Sequence, residues 1–281
     1  WNKVEAKDGR VMLSFTVESQ APYGGRNTYS NRDRNPQDSY KVVNNEAKPF
    51  GEDDFKFTTN QIWTIYPDGS IELQSSVNSN KPTTDLARLG YTLKLPKEYA
   101  DFTYYGRGPI DNFNDRKVGQ NIEIFRQKVG DEIIHCRPQS MGNHEEVRWA
   151  ALTDAKGQGA AFIADGIMSA SALPWSEMGI TESAHPYQLP QSDGVYLHLD
   201  AKVTGLGGNS CGQGAPLLPD RAKAEIRNFG FIIRPLADAK NLQETVKVAA
   251  SGETPIIVSR DKEGLTTISA LDATRTLMYS L

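Results

Sequence analysis

This sequence has little of what marks a membrane-spanning, nucleic-acid-binding or disulfide-stapled protein. No stretch approaches the ~18 consecutive apolar residues of a membrane-spanning helix. The longest apolar runs, Gly159–Ala164 and Phe229–Ile233, are strand-sized. No long basic run occurs and the formal charge is −4, which argues against nucleic acid and against an anionic membrane surface as partners. Cys136 and Cys211 are the only cysteines. Two so far apart in sequence make neither a disulfide framework nor a four-ligand zinc site, and they read as unpaired thiols. There is no P-loop, no dinucleotide fingerprint after a strand and no metalloprotease helix motif. Gly205-Leu206-Gly207-Gly208 imitates a phosphate loop, but no Lys-Ser/Thr follows it and its flanks read as β. Helical spacing is equally scarce. Gln120–Lys128 is the best candidate for a short helix or irregular turn. No internal repeat and no low-complexity tract interrupts the chain.

What is present is alternation. Hydrophobic residues make up 38% of the 281 and charged residues 23%, enough apolar material for a real core and too little charge for a disordered chain. Val11–Val17, Gln61–Tyr66, Ser70–Val77, Arg88–Leu95, Phe102–Tyr105, Ala160–Ala164, Val195–Val203 and Ala222–Ile233 read as strands. Pro67-Asp68-Gly69 predicts a hairpin, since Pro presets φ and Gly accepts positive φ. Residues Ala21–Asp54 are rich in Asn, Arg, Asp, Gly and Pro and read as a long surface excursion, with Tyr23, Tyr29 and Tyr40 as its rings.

Composition shifts again near Lys247–Pro255. The short strand-like runs after it predict a second unit, with residues 1–245 as one domain and 246–281 as a linker and partial β module. So few residues cannot hold an independent core. The chain opens on Trp1 without an initiator Met or signal pattern and stops at Leu281 in a strand-like run. The expectation is that both ends lie inside a longer protein. Any signal sequence is then outside this chain, and the compartment stays open between bacterial periplasm and cytoplasm.

Residue chemistry alone marks no catalytic pair. Paired-carboxylate glycosidase chemistry needs two carboxyls at a fixed separation, and no pair stands out. His198 lies inside an alternating strand, His135 precedes Cys136 and His185 precedes Pro186. His144, in Asn143-His144-Glu145-Glu146, could bind a hydroxyl or sit in a solvated loop.

Three segments carry a resemblance. The first is Tyr104-Tyr105-Gly106-Arg107-Gly108-Pro109-Ile110-Asp111-Asn112-Phe113-Asn114-Asp115-Arg116. The second is Arg137-Pro138-Gln139-Ser140-Met141-Gly142-Asn143, continuing through Val147-Arg148-Trp149-Ala150-Ala151-Leu152-Thr153-Asp154. The third is Leu197-His198-Leu199-Asp200 with Gly205-Leu206-Gly207-Gly208-Asn209-Ser210-Cys211-Gly212. In this order and spacing they resemble the C-terminal domain (the small chain) of family-two glycoside hydrolases of the β-galactosidase type, over roughly Trp1 to Pro235.

The resemblance implies an all-β fold: a large antiparallel supersandwich of two sheets, galactose mutarotase-like, followed here by a few strands of a truncated immunoglobulin-like module. It implies that both catalytic glutamates, and the magnesium and sodium sites, lie in a (β/α)8 barrel of the same polypeptide, so that no catalytic residue, metal or cofactor site falls in this chain. Nothing here reads as βαβ. The implied partners are that barrel, a galactoside or related glycan and, through the parent enzyme, further copies of itself.

The implied contribution is one wall of the substrate pocket, from the loop Gly208, Asn209, Ser210 and Cys211. Asn143 and His144 are candidates for its rim. Gly106, Arg107, Gly108, Pro109, Asp115 and Arg116 form a structural motif: the glycines permit a tight turn, Pro109 fixes it, and Asp115 and Arg116 supply an ion pair or backbone caps.

The sequence departs from the family pattern in places. Cys211 stands about where the family has Trp, and a thiol cannot stack on a sugar face, which weakens sugar affinity or shifts preference. Pro138-Gln139-Ser140-Met141-Gly142 lacks the family's acidic residue. Asp111 and Phe113 replace Glu and Tyr.

Two other readings remain open. One is a free-standing carbohydrate-binding module using exposed Tyr23, Tyr29, Tyr40, Trp63 and Trp175. The other is a mutarotase-like epimerase, which needs histidines and a glutamate converging in one cleft.

Overall fold

A computed structural model describes residues 2–7, 9–21, 54–131, 141–183, 185–207, 216–225, 227–247, 256–260 and 266–270. The strands in chain order are β1 (Lys3–Lys7), β2 (Arg10–Ala21), β3 (Phe55–Ile65), β4 (Ile71–Ser79), β5 (Asp85–Leu86), β6 (Arg88–Leu95), β7 (Asp101–Gly108), β8 (Asn121–Lys128), β9 (His144–Thr153), β10 (Gly159–Leu173), β11 (Val195–Val203), β12 (Ala222–Lys223), β13 (Arg227–Leu236), β14 (Ile256–Arg260) and β15 (Thr266–Ala270). Two short helices join them, α1 (Glu177–Thr181) and α2 (Leu242–Lys247). Neither is long enough to cross a membrane.

All named strand pairings are antiparallel. The wide sheet runs β1-β2-β3-β4-β13-β10-β9-β7-β8. The narrow layer is β11 and β6, joined to the wide one through β10. Residues Gly159–Ala164 of β10 pair with β13, while Ser169–Leu173 pair with β11. Between them the ladder to β9 shifts register, and Gly166 there takes φ +90°. Glycine meets that backbone demand without a Cβ penalty. One strand thus bends out of the wide sheet and into its cover.

The core lies between the layers. Tyr104 of β7, Leu152 of β9, Phe162 and Ala170 of β10, Leu197 and Leu199 of β11 and Phe231 of β13 are all buried in one cluster. Tyr91 of β6 meets Phe229 and Phe231 at ring centroids 6.2 and 5.9 Å apart, placing the narrow layer over the face of β13. The chain is an all-β antiparallel sandwich, as predicted. A second apolar layer covers the outer face, where Leu242 and Val246 of α2 pack on Trp149, Ile163 and Ile232. Burying each such side chain contributes ~1.5–3 kcal/mol. α2 spans the expected division at 245/246, and among the described residues β14 pairs with β15 alone.

The predicted hairpin forms. Tyr66 N–H donates to Ser70 O, Asp68 accepts from Ser70 N–H, and Gly69 has φ +81°. The expected helix at Gln120–Lys128 does not form; those residues make β8. Ile122 and Ile124 are β-branched, and the edge of β7 offers them a ladder, so strand pairing overrides weak helical spacing.

Candidate functional site

The described parts of the three motifs meet at one end of β7, β9 and β11. Gly106 and Gly108 lie inside β7, not in a turn, and neither has positive φ. What they supply is closeness. A Cβ on Gly106 would stand 2.7 Å from Val147 Cγ2 on β9, and one on Gly108 would collide with the Tyr104 hydroxyl. The turn itself begins at Gly108-Pro109, a cis peptide bond.

Asn112, fully buried, ties this turn to β9. Its amide nitrogen donates to Arg107 O and Ile110 O at 2.9 and 3.0 Å, and its Oδ1 accepts from Glu145 N–H at 2.8 Å. Asn143 returns the contact, donating to Asn112 O and to Glu145 Oε1, both at 2.9 Å. Ser169 of β10 also donates to Glu145 Oε1, at 2.9 Å. Burial pushes the Glu145 carboxyl above its ordinary pKa, and the Ser169 and Asn143 bonds pull part of that back. Asn143 and His144 are 1% and 0% exposed, so they lie inside the protein and not on a rim. His144 stacks on Tyr104 at 4.0 Å, with Nδ1 3.2 Å from Arg107 O.

Glu146 has φ +55°, a position that favours glycine. Its carboxylate meets Arg107 Nε at 2.9 Å and Lys117 Nζ at 3.2 Å. Burial raises its pKa, but the bonds from Arg107 and Lys117 outweigh that and hold it below the ordinary carboxylate value.

Arg116 pairs with Asp111 at 2.8 Å, so the ion pair of the motif joins those two and leaves Asp115 to cap backbone. Asp115 accepts from Leu206 N–H at 3.0 Å and from Gly207 N–H at 2.7 Å. Gly205 passes so near the Asp115 carboxylate that no side chain fits there, and its N–H donates to Asp220 O at 2.9 Å. Asn114 donates to Asp220 Oδ1, also at 2.9 Å. Two neighbouring residues of the first motif therefore grip the chain at Leu206–Gly207 and at Asp220, on either side of residues 208–215. Gly208, Asn209, Ser210 and Cys211 themselves lie outside the described residues. So do Cys136 and His135, and Tyr23, Tyr29 and Tyr40.

A polar layer continues on the face of β11 turned away from the core. His198 and Asp200 are 2% and 1% exposed. His198 Nδ1 lies 3.0 Å from Thr92 Oγ1, while its Nε2 has no hydrogen-bond partner among the described residues. Burial holds the imidazole down at about 4, helped by the nearby Arg88 cation. Burial pushes the Asp200 carboxyl up to about 7 against the pull of Arg88. Arg88 bridges Asp200 at 3.1 Å and Glu177 of α1 at 2.6 Å. Sequence reasoning missed Asn112 and Asp200. The signal for Asp200 was available, because β11 reads apolar at every second residue while carrying His198 and Asp200 between.

The described histidines do not converge. His144 faces the core opposite Ala170, His198 faces away opposite Ser171, and His185 is exposed and stacked on Tyr187. Trp63 and Trp175 form no exposed row, since Trp63 packs on the main core and Trp175 on Met141, Leu173 and Ile180. Among the described residues, no three His, Cys, Asp or Glu side chains are grouped to hold a metal.

A family model described as the beta galactosidase small chain matches residues 1–233. The β-galactosidase of Priestia megaterium is 31% identical over 179 residues, covering 62% of this chain and 17% of that protein. The β-galactosidase of Lactobacillus delbrueckii subsp. bulgaricus is 36% identical over 154 residues, covering 54% and 15%. The chain thus spans less than a fifth of these relatives. Among solved structures, a galactose mutarotase related enzyme from Lactobacillus acidophilus matches 83% of this chain and 70% of its own, at 11% identity and a TM-score of 0.36.

Proposed function

Because this chain belongs to the beta galactosidase small chain family, we propose that it is the non-catalytic domain of a β-galactosidase-type hydrolase and completes the galactoside pocket of a catalytic barrel in the same polypeptide. The observation that carries this reading is the double grip of Asn114 and Asp115. Asn114 and Asp115 hold Asp220 and Gly207, the two points of the described chain that flank residues 208–215 in sequence. A loop delivered to a partner's pocket needs fixed roots, because side chains that meet a substrate lose affinity when their support is loose. The buried knot of Asn112, Asn143 and Glu145 anchors the same motif to β9. In this reading the domain's part is to position the 208–215 segment and complete the pocket.

The test uses an aryl β-galactoside. The isolated chain gives no turnover, whereas the polypeptide carrying it behind its barrel hydrolyses the substrate. There, Cys211→Trp lowers KM with little change in kcat. Robust hydrolysis by a clean preparation of the isolated chain overturns the proposal.

A further inference from the structure

The wide sheet is broader than the layer that covers it. Among the described residues β6 is the outer edge of that cover, and beyond it the inner face of β2, β3, β4 and β13 forms the floor of a cleft of about 370 Å³. That volume is within the ~300–1,000 Å³ usual for small-molecule sites. The ladder register shows how its floor is composed. Val17 pairs with Thr59, Ser19 with Phe57, Thr59 with Val77, and Val77 with Arg227, so all of these point to one face. Apolar and hydroxyl-bearing side chains therefore alternate over the floor like a chequerboard. The opposite wall is the β6 edge around Tyr91, whose ring lies within 15° of parallel to Phe229. At one end stands Arg88, its guanidinium held between Glu177 and buried Asp200. Two ion pairs leave further N–H groups of its five-donor fork to reach a ligand.

We propose that this cleft is a binding site for a neutral saccharide unit of one or two rings. The argument is one of matching chemistry. A sugar ring interleaves C–H patches with hydroxyls, as this floor interleaves Val17, Phe57 and Val77 with Ser19 and Thr59. Aromatic rings offer apolar faces, Arg88 offers N–H donors to neighbouring hydroxyls, and the exposed Glu177 carboxylate beside it offers acceptors. Each cation of the lining already has a carboxylate beside it, Arg88 with Glu177 and Asp200 and Arg227 with Glu225 at 2.7 Å. Among the described lining residues an anionic ligand meets no unpaired cation, and an aliphatic one would strand the hydroxyls of Ser19 and Thr59. Among the described residues its lining includes none of 205–220, so the argument for it does not rest on the pocket role proposed above.

The experiment is saturation-transfer NMR with galactose, glucose, mannose, lactose and cellobiose, and with glucuronate as the charged control. Calorimetry then measures affinity for the best binder. Thr59→Trp fills the cleft floor and lowers affinity at least about tenfold with an unchanged unfolding temperature. Asn209→Ala, on the 208–211 loop, leaves affinity unchanged. Should Thr59→Trp fail to fold, Ser19→Trp at the exposed lip gives the same readout. The proposal is overturned if no neutral saccharide receives saturation, if binding survives the filled cleft, or if glucuronate binds better than every neutral sugar.

Discussion

Removing the Asp115 carboxylate isolates what roots the 208–215 segment. Two backbone N–H groups, Leu206 at 3.0 Å and Gly207 at 2.7 Å, lose their acceptor in Asp115→Ala. A hydrogen bond to a charged group contributes ~1.5–3 kcal/mol when well shielded, but Asp115 is exposed and water competes for both donors. A loss of ~1–2 kcal/mol in local opening free energy is the reasonable scale, equivalent to about 5–30-fold in the opening equilibrium. Native-state hydrogen exchange reads this directly: the Leu206 and Gly207 amides exchange faster by that factor, while core amides such as Leu152 and Phe162 do not change. Asp115→Asn keeps one neutral acceptor and falls between. In the full enzyme the same substitution raises KM more than it lowers kcat. Unchanged protection at Leu206 and Gly207 in both variants would refute the claim that this carboxylate roots the loop.

The buried pair on β11 gives a pH signature. Asp200 titrates near 7 when folded and near its ordinary 3.8 when unfolded, so the folded state holds the extra proton and stability falls as pH rises from about 4 to 7. His198 titrates near 4 folded and 6.5 unfolded, so its contribution rises over about pH 4 to 6.5. The two oppose each other in the wild type. His198→Gln should leave an unfolding temperature that falls across this window and Asp200→Asn one that rises, both followed by circular dichroism. Gly106→Ala forces a methyl against Val147 and should cost ~1–3 kcal/mol in urea unfolding; a neutral result would mean that β7 and β9 can separate freely.

The sandwich was legible because alternation is a local signal. Val195–Val203 and Arg88–Leu95 carry it cleanly, and Pro67-Asp68-Gly69 announces its own turn. β8 is not legible in the same way, because an edge strand with Glu123, Arg126 and Gln127 scattered among its apolar residues lacks clean period-two spacing. The motif glycines look like turn formers in the sequence, which shows the missing Cβ but not the neighbour that forbids one. Asn112 and Asp200 were passed over for a related reason. A buried polar residue looks like any surface one until its partners, 33 residues away in the case of Glu145, are in place.

The pairing of β4 with β13 bears on how the chain is made. Ser75 donates to Phe229 O across 154 residues of sequence. During synthesis β1 to β4 emerge well before β13, so the edge of β4 that β13 covers stays bare while the residues between them are made. Contacts that distant close slowly, and an unpaired strand edge invites pairing with other chains. The newborn sheet must therefore stay apart from its neighbours until β13 arrives, and crowding by other nascent chains is the hazard this topology carries.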